Sequence, residues 1–213
     1  MIGTRIMEIE EKLQDFVLFI SIHAKRETMT IRDIRDDIDA WCAESTWWIR
    51  IPVLLLILHQ SYRQIGDPSW DGLFSALDFG IHELGHVVFT PLGEFMTILG
   101  GSFWQLAAPI ISAVMFLRQR DYFAISVCSM WLGISLYRMA LYMEDARTMS
   151  LPLVSVGGGD AYHDWNYLFR TFHMLQWDFR IGYITRGAGG FLLLFAVVSG
   201  TWILWKMFNL RRV

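Results

Sequence analysis

The amino-acid sequence predicts an all-α fold, a multi-pass transmembrane helical bundle of about four main spans that follows an N-terminal amphipathic helical region. Of the 213 residues, 54% are hydrophobic and only 18% are charged, whereas charged residues make up about 25% of a typical soluble domain. The apolar residues form runs long enough for membrane helices, while the first part of the chain is rich in charge. We therefore divide the chain into an amphipathic region, residues 1–45, and a region embedded in a membrane, residues 46–213, and expect an integral membrane protein.

The N-terminal region carries two helical patterns. Apolar residues recur at helical spacing from Ile6 to Ile20, opposite a charged face. A second pattern starts with Thr30 and Asp33, which resemble a capping box, and continues with apolar residues three and four apart up to Trp41. Both apolar stripes predict packing on the rest of the protein or on lipid headgroups.

Five apolar segments follow the N-terminal region. The first, residues 49–59, is shorter than the roughly 20 residues that a span needs. The others, which approach or exceed one membrane thickness, are residues 72–90, 95–117, 122–143 and 188–208. Gly100, Gly101 and Pro109 interrupt the pattern of the third segment. Residues 94–102 alternate enough to predict either a short extended segment or a helix kinked at glycine.

A His-Glu-x-x-His motif lies within the apolar residues 79–89. His82 and His86 are four residues apart, so one face of a helix can present both imidazoles to a single cation. Zinc takes nitrogen ligands in tetrahedral geometry, and catalytic zinc sites leave one position to water. Glu83 is suited to act as a general base toward that water. Two core histidines and a chance Glu are the alternative, but ionisable groups at membrane depth indicate function.

Two other polar residues have open roles. Asp78 precedes His82 by one helical turn, so it either orients that imidazole or meets water near the start of the helix. His59, at the end of the first apolar segment, is either an additional ligand or a helix-end histidine that faces water. The sequence does not separate these alternatives.

A catalytic zinc site needs a third protein ligand. Residues 157–165 have suitable chemistry, because three glycines are followed by Asp160, His163 and Asp164. Two assignments are open: His163 binds zinc and an aspartate orients it, or Asp164 binds zinc and His163 polarises the substrate. A helix-capping Asp beside a solvated His is the structural alternative.

The HELGH sequence in an apolar helix, the Gly-broken segment after it and the later acidic residue resemble the intramembrane zinc metalloproteases of the site-2 protease type. The similarity is strongest over residues 79–109. It implies zinc-dependent proteolysis and a helix after the motif whose amide side chain engages substrate, and Gln105 stands where that amide is expected. This chain lacks the Asn-Pro-x-x-x-x-Asp-Gly-type motif of the family, so the cluster from Asp160 to Asp164 would have to replace it.

Together these features predict a zinc-dependent hydrolase in the bilayer, namely a metallopeptidase that cleaves membrane-associated peptides or proteins. In this prediction Zn²⁺ is held by His82, His86 and either His163 or Asp164, and Glu83 activates water. A zinc-dependent lipid amidase or esterase is an alternative, because the same groups attack any activated carbonyl. A non-catalytic membrane scaffold with a structural metal is another. The net charge of −3 gives no indication of a nucleic-acid partner.

Overall fold

The computed structural model describes residues 31–151 and 163–211. These residues form α-helices and three short 3-10 helices, and none of them lies in a strand. The α-helices are α1 (Ile31–Glu44), α2 (Ile51–Gly66), α3 (Ser75–Phe89), α4 (Glu94–Arg118), α5 (Tyr122–Glu144), α6 (Asp164–Thr171) and α7 (Asp178–Leu210). The all-α prediction is confirmed for this part of the chain. The helical pattern predicted from Ile6 to Ile20 lies outside the described residues.

The chain divides into two compact units, residues 1–40 and residues 41–213. Helix α1 begins in the first unit and ends in the second, and it matches the second amphipathic pattern of the sequence. Every other described helix belongs to the second unit.

Three helical segments among the described residues are long and apolar enough to cross a membrane: α4, α5 and Leu175–Leu210. Residues 32–44 and 48–66 would add a fourth if they formed one span. The motif helix α3 has 15 residues, or roughly 22 Å at 1.5 Å per residue, which is less than the roughly 30 Å of bilayer hydrocarbon. The number of about four spans therefore stays a prediction.

Helix α3 is shorter than the predicted 72–90 mainly at its start, because residues 73–74 form a turn in which the Ser75 backbone N–H donates to the Gly72 carbonyl. Its C-terminal end lies one residue before the predicted one. Thr90–Leu92 forms a 3-10 helix that contains Pro91. Gly93 then adopts a φ of +94°, a conformation that strongly favours glycine, and α4 starts at the next residue. This sharp connection turns α4 back along α3.

The packing of α5 against α7 forms the centre of the second unit. Met130 and Ile134 on α5 and Leu193 on α7 are fully buried. The two helix backbones come close where small residues lie in the contact, since a Cβ at Gly133 would be 2.9 Å from the Leu193 side chain and one at Gly189 would be 2.9 Å from the Gly133 carbonyl. Small residues permit such close approach in membrane helix pairs.

Glycines also determine how closely α3 and α4 pack. A Cβ on Gly100 would lie 2.9 Å from Cβ of Phe89, and a Cβ on Gly85 would overlap the Gly100 carbonyl group. The interruption predicted at Gly100, Gly101 and Pro109 is not observed, because α4 is continuous from Glu94 to Arg118. The two glycines lie against α3 instead, and of the two alternatives for residues 94–102 the helix is the one observed.

Gly85→Ala is expected to lower the stability of the protein, because the added methyl group would collide with backbone atoms of α4 that have little freedom to move. Overpacking of this kind costs roughly 1–3 kcal/mol. Thermal unfolding of the detergent-purified protein measures the effect. Gly80→Ala is the matched control, since Gly80 lies on the same helix and a Cβ there meets nothing within 4 Å. Equal melting temperatures for the two variants would contradict the close helix contact.

Candidate metal centre

Side chains from two separate helices meet at one point. His82 and His86 lie on α3, and Asp164 is the first residue of α6. The Asp164 Oδ2 atom is 2.9 Å from His82 Nε2 and 3.3 Å from His86 Nε2. Tetrahedral zinc ligands at roughly 2.0–2.1 Å from the metal are about 3.3–3.4 Å from each other. The spacing of these three side chains therefore suits zinc or a cation of similar size.

Hydrogen bonds fix the orientation of both imidazoles. His86 Nδ1 lies 2.8 Å from the Thr97 carbonyl oxygen, which can only accept, so His86 Nδ1 carries a hydrogen. His82 Nδ1 lies 3.2 Å from Gln105 Oε1. The Gln105 amide nitrogen donates to the Ser135 carbonyl at 3.4 Å, which leaves Oε1 as the acceptor for His82. Each Nε2 atom consequently directs a lone pair to the point where the side chains meet.

This arrangement brings two nitrogen lone pairs and a carboxylate oxygen together. Positive charge between them is needed to remove their mutual repulsion. Protonation of one imidazole would supply it for only one of the two nitrogen–oxygen pairs. Protonation of both would bring like charges together, since the ring centroids of His82 and His86 are only 4.7 Å apart. One divalent cation would satisfy all three atoms at once. Two imidazoles and one carboxylate are also a common ligand set of catalytic zinc.

The Asp164 carboxylate is buried. Burial acts to raise its pKa, but hydrogen bonds and charge from the imidazoles of His82 and His86, when these are protonated, outweigh this effect and hold the pKa below its usual value. Asp164 is therefore ionised at neutral pH, which is the form in which a carboxylate ligates a metal.

Gly101 on α4 gives the imidazoles their space. A Cβ at this position would lie 2.6 Å from the Nε2 atoms of both His82 and His86. Any other residue would therefore occupy the region beside the two ligand nitrogens. The close approach of α4 to α3 at this glycine fits a site that holds a small ion.

His163 is adjacent to Asp164 but does not join the group. Its Nδ1 accepts a hydrogen bond from the backbone N–H of Asn166 at 3.2 Å, so it caps the start of α6. Burial lowers the pKa of its imidazole and outweighs the opposing effect of Asp145. Its Nε2 lies 3.4 Å from Asp145 Oδ2, and its ring stacks on Tyr142 with centroids 4.2 Å apart. Of the two sequence-based assignments, the structure thus places Asp164 with the imidazoles and turns His163 away.

Asp145 holds the turn that follows α5, and the sequence analysis did not predict this role. Its carboxylate accepts hydrogen bonds from the Thr148 hydroxyl at 2.5 Å and from the backbone N–H groups of Ser150 and Leu151 at 2.9 Å. Burial opposes ionisation, but the bonds from Ser150 and Thr148 outweigh it and lower the pKa of Asp145. An Asp followed by Thr and Ser at short spacing is a signal for such a turn.

Asp78 supports the site without contacting it. The Asp78 carboxylate accepts hydrogen bonds from Trp131 Nε1 at 2.6 Å and from the Ser135 hydroxyl at 2.9 Å. The backbone carbonyl of Ser135 accepts from Gln105, which in turn holds His82. Asp78 is thus buried among residues of α5, and it neither touches His82 nor faces water as the sequence suggested. The substrate-binding role of Gln105 stays a prediction, since its amide oxygen faces His82.

Glu83 has no hydrogen bond or ion pair with the residues that the structure describes, and its side chain is half-buried. The negative charge of Glu83 is close enough to interact electrostatically with His86 and Tyr142. The carboxylates of Asp78 and Asp164, in contrast, are each held by two side chains. Glu83 therefore has lone pairs available to accept a proton beside the three convergent side chains.

The remaining candidates lie elsewhere. His59 packs edge-on against Trp70, with ring centroids 5.8 Å apart. His59 and His163 are both outside the one group of potential metal ligands found among the described residues, which consists of His82, His86 and Asp164. Asp160 lies outside the part of the chain that the structure describes.

Comparisons of the chain with protein-family models, with curated proteins and with solved structures give no match. The resemblance to site-2 proteases is therefore a hypothesis supported by the motif and its setting. The interpretation of the site depends on its own residues and their geometry.

Proposed function

We propose that this protein is a zinc-dependent hydrolase embedded in a membrane, and specifically a metallopeptidase. The observation that carries the proposal is the convergence of His82, His86 and Asp164 beside the unpartnered carboxylate of Glu83 among the described residues. Asp164 is 82 residues from His82 along the chain, so their meeting is a property of the fold and not of the motif.

The composition of the site favours catalysis over a structural role. Structural zinc sites are closed by four protein ligands, whereas catalytic sites have three. The group found among the described residues has three members, and the two ring nitrogens of His163, which precedes Asp164 in the chain, face Asn166 and Asp145. The His82 and His86 side chains are 13% and 21% exposed, so a substrate can reach them. These features argue against the scaffold alternative.

Each residue of the site has a definite role in the proposed reaction. Bound zinc would supply a Lewis acid that polarises a carbonyl group and acidifies water. Gln105 and Thr97 keep the two imidazoles in the tautomer that can ligate. Glu83 accepts a proton from the attacking water and passes it to the leaving amine as the C–N bond breaks. Amide and water are thereby converted to a carboxylic acid and an amine.

The surface around the site suits a lipid environment. Three exposed apolar residues of α3 flank the motif histidines: Leu84, Val87 and Val88 are 59%, 63% and 47% exposed. The neighbouring helix α4 is long and apolar enough to cross a membrane. Exposed apolar surface of this kind is costly in water and favourable in lipid. A substrate held in the membrane would therefore have direct access to the site.

Removal of the metal is expected to abolish the activity and its return to restore it. The experiment uses the full chain in proteoliposomes with fluorogenic peptides that carry an apolar membrane segment. Treatment with a zinc chelator should reduce cleavage to background, and addition of stoichiometric zinc should recover it. Cleavage that persists in fully chelated protein would contradict the proposal. Release of fatty acid from the lipids without any peptide product would support the amidase or esterase alternative instead.

A further inference from the structure

Tyr142 lies at the candidate metal centre but has no role in the function proposed above. It is close to the end of α5, and its ring centroid is 6.4 Å from that of His82. Its hydroxyl oxygen accepts a hydrogen bond from the backbone N–H of Asp164 at 3.1 Å. The phenol is therefore beside the residue that provides the third potential ligand.

The hydrogen of this hydroxyl group has no acceptor among the described residues. A tyrosine hydroxyl can accept one hydrogen bond and donate another. The bond from Asp164 uses the accepting side, so the O–H group is directed away from that N–H. The charges of both Glu83 and Asp164 act on the phenol, which places it within electrostatic range of the proposed base and the proposed ligand. Tyr142 as a whole is only partly buried.

The surroundings hold the phenol in place. One face of the ring stacks on His163 with centroids 4.2 Å apart and an interplanar angle of 31°. His163 is itself fixed as the cap of α6 and lies beside Asp145. A donor that is oriented in advance loses little entropy when charge develops next to it, and this is the property required of groups that stabilise an oxyanion.

We propose that Tyr142 is a catalytic residue that donates a hydrogen bond to the substrate carbonyl oxygen as this oxygen gains negative charge. This inference rests on the proposed hydrolase function and deepens it, because it adds a side chain that stabilises the negative charge on the substrate oxygen besides the metal. The phenol is neutral at physiological pH, since an unperturbed tyrosine has a pKa of about 10. It keeps its proton throughout, and Glu83 carries out the proton transfer.

A purely positioning role is the competing explanation, because Tyr142 also holds the Asp164 backbone and stacks on His163. The two roles predict different responses to Tyr142→Phe. Loss of positioning would weaken the binding of zinc and of every ligand that binds zinc. Loss of an oxyanion donor would affect only ligands whose oxygen stands in the place of the charged carbonyl oxygen.

The test compares two zinc-binding probes with the same apolar side chains on the full-length, zinc-loaded protein. A phosphinic dipeptide offers charged oxygens to Tyr142, whereas the corresponding thiol binds through sulfur and offers none. With both proteins loaded to the same zinc content, Tyr142→Phe is expected to weaken phosphinate binding roughly 10- to 100-fold more than thiol binding. Loss of the hydrogen bond from the Asp164 N–H would affect both probes alike, because both bind through the zinc. The matched control is Tyr167→Phe on α6, whose hydroxyl forms no hydrogen bond with the described residues; it should change neither affinity.

The possible outcomes separate the inference from the proposed function. If the wild type binds both probes and Tyr142→Phe binds them equally well, Tyr142 is not an oxyanion donor, although the hydrolase site stands. Equal weakening of both probes together with zinc loss would assign Tyr142 a positioning role and also overturn the inference. A zinc-loaded wild type that binds neither probe would contradict the proposed function and the inference together.

Discussion

Glu83→Gln is expected to abolish peptide cleavage and to leave metal binding intact. The amide has nearly the same shape as the carboxylate, but it cannot accept the proton of the attacking water. Positioned general bases contribute roughly 10²- to 10⁴-fold to the rate. We therefore expect kcat to fall by at least about 100-fold, while zinc content and melting temperature stay at the wild-type values. Peptide turnover and metal analysis of the same preparation provide the measurement.

Glu94→Gln is the appropriate control for this variant. Glu94 is also a glutamate near the site in sequence, but it lies exposed at the start of α4. It should retain full activity. A Glu83→Gln protein that cleaves peptides at the wild-type rate would remove Glu83 from the mechanism and would favour a non-catalytic role for the metal.

Asp164→Ala is expected to reduce zinc affinity far more than His163→Ala. Mutation of residues that only orient ligands costs roughly 10- to 100-fold in metal affinity, so loss of a direct ligand should exceed about 100-fold. His163→Ala removes a helix cap, which costs about 1 kcal/mol of stability, and it should change zinc affinity by less than about tenfold. Competition with a fluorescent zinc chelator measures both affinities.

The reverse result would have a clear meaning. If His163→Ala lost the metal and Asp164→Ala retained it, His163 would have to rotate out of its contact with Asn166 to bind zinc. The first of the two assignments made from the sequence would then be correct. His173→Ala is a useful control, since His173 follows α6 and lies outside the group of potential ligands.

The sequence was sufficient to predict the helix that carries His82, Glu83 and His86, because residues four apart lie on the same face of an α-helix whatever the rest of the fold. It could not separate His163 from Asp164. Adjacent residues at the start of a helix point in different directions, and the direction is set here by contacts with the distant Tyr142 and Asp145. Neither of these contacts has a signature in the sequence around residue 164.

The role of the glycines in α4 could not be predicted from the sequence either. Glycine weakens a helix, but it also permits two helices to touch, and the pattern around Gly100 and Gly101 is compatible with both. The presence of α3 decides between them, because Gly85 and the imidazoles occupy the space that side chains on α4 would fill. The contact between His86 and the backbone carbonyl of Thr97 could not be predicted from the sequence either, since every residue has a backbone carbonyl.

Zinc content per chain tests the central claim most directly. Detergent-purified wild-type protein, offered zinc and then freed from excess metal, is compared by elemental analysis with a variant that combines His82→Ala and His86→Ala. The convergence of His82, His86 and Asp164 predicts about one zinc per wild-type chain and essentially none in the double variant. A folded wild-type protein that holds no zinc or other transition metal after this treatment would contradict the metal centre and the hydrolase function that depends on it.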